Sequence, residues 1–359
     1  MNKELVFPCE ACGGKLKFSS ATGKLTFPYC GHINVVEQVF SPIVEQDYEK
    51  AMTELKALHV EKKEISSLKC PSCAAVFDLH EDTHAMSCPF CGSAVVNETA
   101  LYRPIQPQAV LPFKVTKEEA KKVFRTWLNS RWFAPNKLKR YSGSDSRLLG
   151  VYVPFWTYDS DTHSRYHGRR GDEYQVRERY TATVDGRPVQ RERTVTKVRW
   201  HNVDGSLDQS FDDVLVMASE SRMDRLAQWD LQNLVPYDER YLSGFESEVY
   251  TVEPDQGLDR AKSIMDQAIR RSIKRQIGGD RQEITSLQSD FTHISFKHIL
   301  LPIYAAAYRF NGKVYRYVIN GRTGEIEGDR PYSVVKIVSA VIVVVGIAAV
   351  IAYYSGYFQ

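Results

Sequence analysis

Cysteine is absent from everything beyond Cys91, although the 359-residue chain holds seven. No disulfide framework can brace the larger part of the chain, and no cysteine there can act as a nucleophile. A phosphate loop is missing too. Gly14-Lys15, Gly23-Lys24 and Gly312-Lys313 are followed by Leu16, Leu25 and Val314, never by Ser or Thr, so ATP hydrolysis has no support. There is no GxSxG elbow and no dinucleotide-binding glycine fingerprint. Nor is there an excess of one charge: 47 basic groups face 44 acidic ones, a net +3, far from the balance of a chain built mainly to coat nucleic acid. The start, Met1 to Cys9, lacks the apolar run of a secretory signal, so the amino-terminal part is expected to stay in the cytoplasm. With 43% apolar and 25% charged residues, the chain is expected to fold into two or three packed units.

The cysteines that are present come in pairs. Cys70-Pro71-Ser72-Cys73 and Cys88-Pro89-Phe90-Cys91-Gly92 form two knuckles that can offer four thiolates to one tetrahedral Zn2+. In a reducing compartment this pattern is read as a metal site before it is read as disulfides. A copy lies earlier in the chain, with Cys9, Cys12 and Cys30 matching Cys70, Cys73 and Cys91. Phe27 stands at the position of Cys88, so the copy has three thiolates. His32 is the nearest candidate for a fourth ligand; otherwise Phe27 fills the sulfur's place and the first ribbon survives as a small hydrophobic hairpin leaning on its neighbour. Between the two, Asp47 to Glu64 reads as a helical spacer with Tyr48, Met52, Leu55 and Leu58 on one face.

Two further patterns resemble chemistry. His80-Glu81-Asp82-Thr83-His84 matches the HExxH signature of zinc proteases. It falls between the knuckles of the second ribbon, where a β-hairpin is expected, so the metallopeptidase reading ranks last. Tyr174 to Trp200 alternates charged and β-forming residues about Asp185-Gly186 and reads as a long Arg-rich hairpin. Its arginines either meet phosphates or lipid headgroups, or pair across the strands with glutamates, as Arg177, Glu178, Arg191 and Glu192 would allow; the second reading is preferred.

The body reads as α+β. Thr116 and Glu119 make a capping box ahead of an apolar stripe, Ala120, Val123, Phe124, Trp127 and Leu128. Val110 to Phe113 precedes that helix and the buried strand Gly150 to Tyr158 follows it. The same order returns in Glu248 to Val252, a helix carrying Leu258, Ala261, Ile264, Met265, Ala268, Ile269, Ile273 and Ile277 up to Gly278-Gly279, and Ile299 to Tyr304, which suggests a duplication. Asn311-Gly312 signals a hairpin turn. The expected organisation is a degenerate zinc ribbon over 1–40, a helical linker over 41–66, a four-cysteine zinc ribbon over 67–98, α+β units over 105–215 and 216–333, and a membrane helix over 334–354. From Ile337 to Tyr354 only Ser339 is clearly polar, a run long enough to cross a bilayer; a buried core helix is the alternative. Arg330 and Lys336 on its near side place the body in the cytoplasm by the positive-inside tendency, with the carboxyl terminus opposite.

Several stretches resemble a bacterial family of membrane-anchored zinc-ribbon proteins commonly labelled primosomal protein N′ (replication factor Y) or superfamily II helicase. They are Asn129-Ser130-Arg131-Trp132-Phe133-Ala134-Pro135-Asn136, Phe211 to Val216, Ile277-Gly278-Gly279-Asp280, Phe296 to Pro302, and Asn320 to Glu325 leading to Arg330-Pro331. The resemblance implies a non-enzymatic envelope protein, in some relatives encoded beside membrane and scaffold proteins of the PspA and SPFH type. The helicase part of that label conflicts with the missing phosphate loop. The expected function is therefore a membrane adaptor without a catalytic residue or small-molecule substrate, with a membrane-tethered nucleic-acid-binding protein as the alternative.

Overall fold

The computed structural model describes residues 7–14, 16–27, 30, 32–34, 43–57, 63–65, 67–70, 75–78, 85–88, 90, 93–96, 100–102, 105–141, 148–184, 187–220, 226 and 229–357. Its architecture is α+β, and three very long strands dominate it: Leu149–Val184, Arg187–Met217 and Arg281–Phe310. The first and second pair antiparallel from Phe155↔Met217 to Val184↔Arg187. The first and third pair from Leu149↔Ala305 to Gly171↔Arg281. The sheet is therefore three strands deep up to Gly171, and a two-stranded ribbon continues alone. At about 3.3 Å per residue, residues 172–184 carry that ribbon roughly 40 Å past the end of the third strand.

Sequence patterning separates a strand at 150–158 from a hairpin at 174–200, whereas the structure joins them. Along residues 160–167, Ser160, Thr162, Ser164 and Tyr166 are buried and the residues between them are exposed. The period of two is present in burial but not in hydrophobicity, because three of the four inward residues are small and polar. Their hydroxyls find partners within the sheet: Ser160 donates to the Thr292 carbonyl, Thr162 to that of Gln209, and Ser164 shares a bond with Ser289.

The helices among the described residues are α1 (Tyr48–Ala57), α2 (Lys117–Ser130), α3 (Asn136–Tyr141), α4 (Pro254–Ile277) and α5 (Val334–Tyr357). The two halves of the body are woven together reciprocally. The short strand Ala109–Val110, which leads into α2, lies parallel to Ile299–Leu300 of the third long strand. The short strand Glu246–Ser247, which leads into α4, lies parallel to Val151–Tyr152 of the first. Between them Val153 faces Leu301. Each half thus lends its short strand to the other half's long one, and the two units share one sheet.

Two prolines in central strands fit this pattern. The Pro154 carbonyl accepts from Ala218 N and the Pro302 carbonyl from Gly321 N, so both residues turn their backbone polar atoms away from the central pair. The missing N–H of each then faces a flank where the neighbouring parallel strand is only two residues long.

The sheet's two faces bury different partners. Tyr152, Leu300 and Tyr304 point to α2, through Phe124, Trp127 and Leu128, and to Leu16, Phe18 and Leu25 of the first cysteine segment. Val151, Val153, Ile299 and Leu301 point the other way, to Phe77 and Phe90 of the second segment. Where the sequence allowed a small hairpin leaning on its neighbour, the described residues of the first segment dock against the body. The Phe18 ring lies 5.2 Å from that of Tyr241, and Ser243 Oγ donates to the Leu16 carbonyl. Large apolar surfaces were available on both faces, and each segment is too small to bury its own.

The linker helix differs from expectation as well. α1 is described over Tyr48–Ala57, Leu58 of the expected stripe lies outside the described residues, and Glu64 sits in a strand, Lys63–Ile65, paired with Ala100–Tyr102. Rather than only spacing the ribbons, this segment is stitched to the third long strand: Gln46–Asp47 pairs with Ser295–Phe296, and the Tyr48 ring lies 5.9 Å from Phe296. α4 covers the first face further along, with Leu258, Ala261 and Met265 over Trp156 and Tyr158, then Ile269, Ile273 and Ile277 over Tyr166. Ile264 falls off this stripe and is exposed. Gly257 lets the Tyr158 hydroxyl approach the helix closely enough to donate to the Pro254 carbonyl at 2.6 Å.

Candidate metal centre

A Cys-x-x-Cys turn must aim two sulfurs at one point, and its backbone is shaped for that. In the first segment Cys9 N–H donates to the Gly14 carbonyl at 2.7 Å. The second repeats the bond twice, Cys70 N–H to Ala75 and Cys88 N–H to Ser93, both at 2.8 Å. Three knuckles therefore share one hydrogen bond, in which the amide of the leading cysteine reaches five residues on.

The sulfurs of Cys9, Cys12 and Cys30 lie within 4.8 Å of one another. Cys12 and Cys30 are 3.4 Å apart, Cys9 and Cys30 3.6 Å. Sulfurs held about 2.3 Å from a zinc ion at tetrahedral angles stand roughly 3.8 Å apart, so three corners of a tetrahedron are in place and this group can hold a metal ion. Burial pushes the Cys9 thiol up, but amide donors at Ala11 and Cys12 and the two neighbouring thiols outweigh it and bring it down, toward the thiolate a metal requires. The Gly14 amide lowers the Cys12 thiol, yet the hydrogen bond to Cys30, burial and Cys9 raise it on balance.

His32, expected as a fourth ligand, is not part of this group; it lies half-buried after the third cysteine. Phe27, in place of the fourth sulfur, presses its ring against the bare Cα of Gly14 in the opposing knuckle, where a Cβ would collide with it. In the second segment Cys70 and Cys88 are both buried in the core facing Val151 and Ile299, and the rings of Phe77 and Phe90 stack at 5.3 Å beside them. Cys73 and Cys91 lie outside the described residues, as do His80, Glu81 and His84 of the HExxH match.

The structure assembles one polar group that spacing did not reveal. At an irregularity between Tyr158 and Ser160, carboxylate oxygens of Glu45, Asp159 and Asp212 converge within 4.8 Å. Lys297 Nζ stands 2.9 Å from Glu45 and 2.7 Å from Asp213, which adopts a φ of 53°. Burial, then the neighbouring Glu45, pushes Asp159 up to about 6, while the hydrogen bond from Asp159, helped by Lys297 and Ser295, holds Glu45 at about 2. Between about pH 2 and 6 the pair keeps one proton between them, and the buried Lys297 is shared by Glu45 and Asp213. The signal lay in Phe211-Asp212-Asp213 and Phe296-Lys297-His298, two stretches far apart in sequence.

The other quoted stretches also have structural tasks. Asn320 Oδ1 accepts from the amides of Arg322 and Thr323, and Arg322 pairs with Asp230 at 3.2 Å. Gly278 and Gly279, both at positive φ, end α4, and Asp280 accepts from Glu173 N–H at the root of the ribbon. On the ribbon, Arg179 pairs with Glu192, and Glu178 with Arg193 and Lys197. The cations of Arg169, Arg193 and Arg199 lie 5.1 to 5.4 Å from the ring centres of Trp200, Tyr180 and Tyr174. In this ladder the places offered from the sequence to Arg177 and Arg191 are taken by the neighbouring Arg179 and Arg193.

No family model matches the chain, and no solved structure matches it. Over 91% of its length it is similar to the uncharacterized protein YdjG of Bacillus subtilis (strain 168), at 25% identity and covering 90% of that protein.

Proposed function

We propose that the chain is a membrane-anchored adaptor: α5 crosses the bilayer, the body lies on the cytoplasmic face, and two zinc-stabilised segments brace a sheet whose long ribbon reaches out to bind partner proteins. The observation that carries the reading is the ribbon. None of the described residues from 172 to 202 enters a core cluster, so this stretch adds little to the stability of the body. Its side chains pair across the two strands and remain exposed on both faces. An extended, preorganised arm of this kind offers backbone edges and charged side chains to a partner at small ordering cost.

α5 supports the anchor. It is long and apolar enough to cross a membrane, and none of its apolar window is buried in the protein, unlike a core helix. Arg330 and Lys336 at its near end favour a cytoplasmic body. One zinc ion on Cys70, Cys73, Cys88 and Cys91 and a second on Cys9, Cys12 and Cys30 would tie each segment's short strands together where it docks on the sheet. The ribbon between 172 and 200 holds seven basic and five acidic residues, so protein partners, including membrane scaffolds of the PspA or SPFH type, suit it better than nucleic acid.

The test is crosslinked capture of the full-length protein from native membranes, with and without nuclease, compared with a chain in which 173–198 is replaced by Asn-Gly. A protein set that survives nuclease and disappears with the ribbon supports the adaptor. Recovery of DNA or RNA that nuclease abolishes moves the function to nucleic-acid binding, and capture unchanged by ribbon removal rules out the ribbon as the binding arm.

A further inference from the structure

A lysine in the first turn of an apolar helix normally snorkels toward water. Lys336 does not need to. Its ammonium donates to the carbonyls of Trp132 (3.0 Å) and Ala134 (2.9 Å) and to Asn136 Oδ1 (2.8 Å), so all three of its protons have acceptors within the protein. A second tie runs beside it, from Ser333 N–H to the Phe133 carbonyl at 2.8 Å. The loop between α2 and α3 is thereby held at the depth of the first turn of α5.

At the apex of this loop Trp132 is 76% exposed, although Trp127, one helical turn and a bend earlier, is buried. Tyr332, just before α5, is also more than half exposed, with the Arg330 guanidinium 5.4 Å from its ring centre. Lys137, Lys139 and Arg140 follow Trp132 in the chain, while the Arg131 guanidinium before it lies 5.3 Å from the Trp127 ring centre. An indole left in solvent costs stability, whereas an indole at the headgroup layer, next to cations and at the mouth of a spanning helix, has its preferred surroundings.

We propose that the loop from Arg131 to Pro135 is a second membrane contact, a foot that places Trp132 in the headgroup region of an anionic bilayer and fixes the body's orientation on the membrane. The proposal rests on α5 spanning the bilayer. Two attachments set a tilt where one helix alone would leave the body free to swing, and the ribbon would then point in a defined direction.

The chain has five tryptophans and none lies in α5, so their emission reports on the body alone. The full-length protein is reconstituted into vesicles of phosphatidylcholine and phosphatidylglycerol, with and without a lipid brominated high on its acyl chain. Wild-type emission should be quenched by the brominated lipid, and Trp132→Ala should abolish the quenching. Trp132→Phe, which keeps an apolar ring, should abolish it equally and guards against a folding defect. Quenching that persists in both variants, or is missing in wild type, overturns the foot. Alkaline carbonate extraction separates the underlying reading: retention in the membrane without Trp132-dependent quenching removes the foot alone, whereas release of the protein removes the spanning helix and the foot with it.

Discussion

At the scale of single residues, two titrations in the body oppose one another. Asp159 is pushed up to about 6, so it holds its proton more tightly folded than unfolded. Its contribution is full below about pH 4 and is lost as pH rises through about 6. Burial brings His298 down to about 4, with its Nδ1–H donating to the Ile105 carbonyl. Its contribution is full above about pH 6.5 and is lost as pH falls through about 4. The two slopes offset each other between about pH 4 and 6. Relative to wild type, Asp159→Asn should make thermal stability rise more steeply with pH across that window, and His298→Gln should make it fall; matching pH profiles in all three proteins would contradict this assignment. The cysteines allow a second residue-level test. In metal analysis of protein purified without chelator, Cys12→Ser should lose one bound zinc and Cys70→Ser a different one, so that the double variant holds neither. Zinc content unchanged by Cys12→Ser would leave the first site without metal in solution.

At the scale of elements, local signals succeeded wherever backbone chemistry decides locally. The Thr116–Glu119 capping box forms in full at the start of α2. Asn311 and Gly312 both take positive φ, 48° and 78°, as a two-residue turn between Phe310 and Lys313 requires. The stripe on α4 also emerged from its spacing, because Leu258, Ala261, Met265, Ile269, Ile273 and Ile277 recur at three- and four-residue intervals. Ile273 is fully buried, and Ile273→Ala should cost about 2–5 kcal/mol in denaturant unfolding, whereas Ile264→Ala, on the exposed side, should cost far less. The ribbon is expected to behave in the opposite way. Replacing 173–198 by Asn-Gly should leave the melting temperature of the body nearly unchanged, since, apart from the exposed ties of Glu173 to Asp280 and Arg281 at the root, the residues removed touch one another and enter no core cluster. A large loss of stability would show that the ribbon is part of the folding unit.

At the scale of the whole molecule, the helix α5, the paired cysteines and the α+β order of the body were all readable in the chain, because apolar length, ligand spacing and helical period are properties of neighbouring residues. The repeated order of strand, helix and strand was visible too, but not its weaving. Nothing near Val110 says that it will lie beside Leu300, nor that Val151 will lie beside Glu246. The length of the central strands was hidden for a related reason: Ser160, Thr162 and Ser164 face inward as polar residues, and only the neighbouring second and third strands, through the Gln209 and Thr292 carbonyls and the Ser289 hydroxyl, make that burial acceptable. The carboxylates around Lys297 and the acceptors around Lys336 come from segments far apart in the chain, so no local pattern contains them. The sequence by itself determined which stretches can bind metal, cross a bilayer or pack as helices, since those depend on side-chain chemistry at short range. Tertiary structure alone decided which face each cysteine segment covers, how far the ribbon stands clear, and which loop meets α5, because burial and charge pairing are settled only when distant strands compete for the same surfaces.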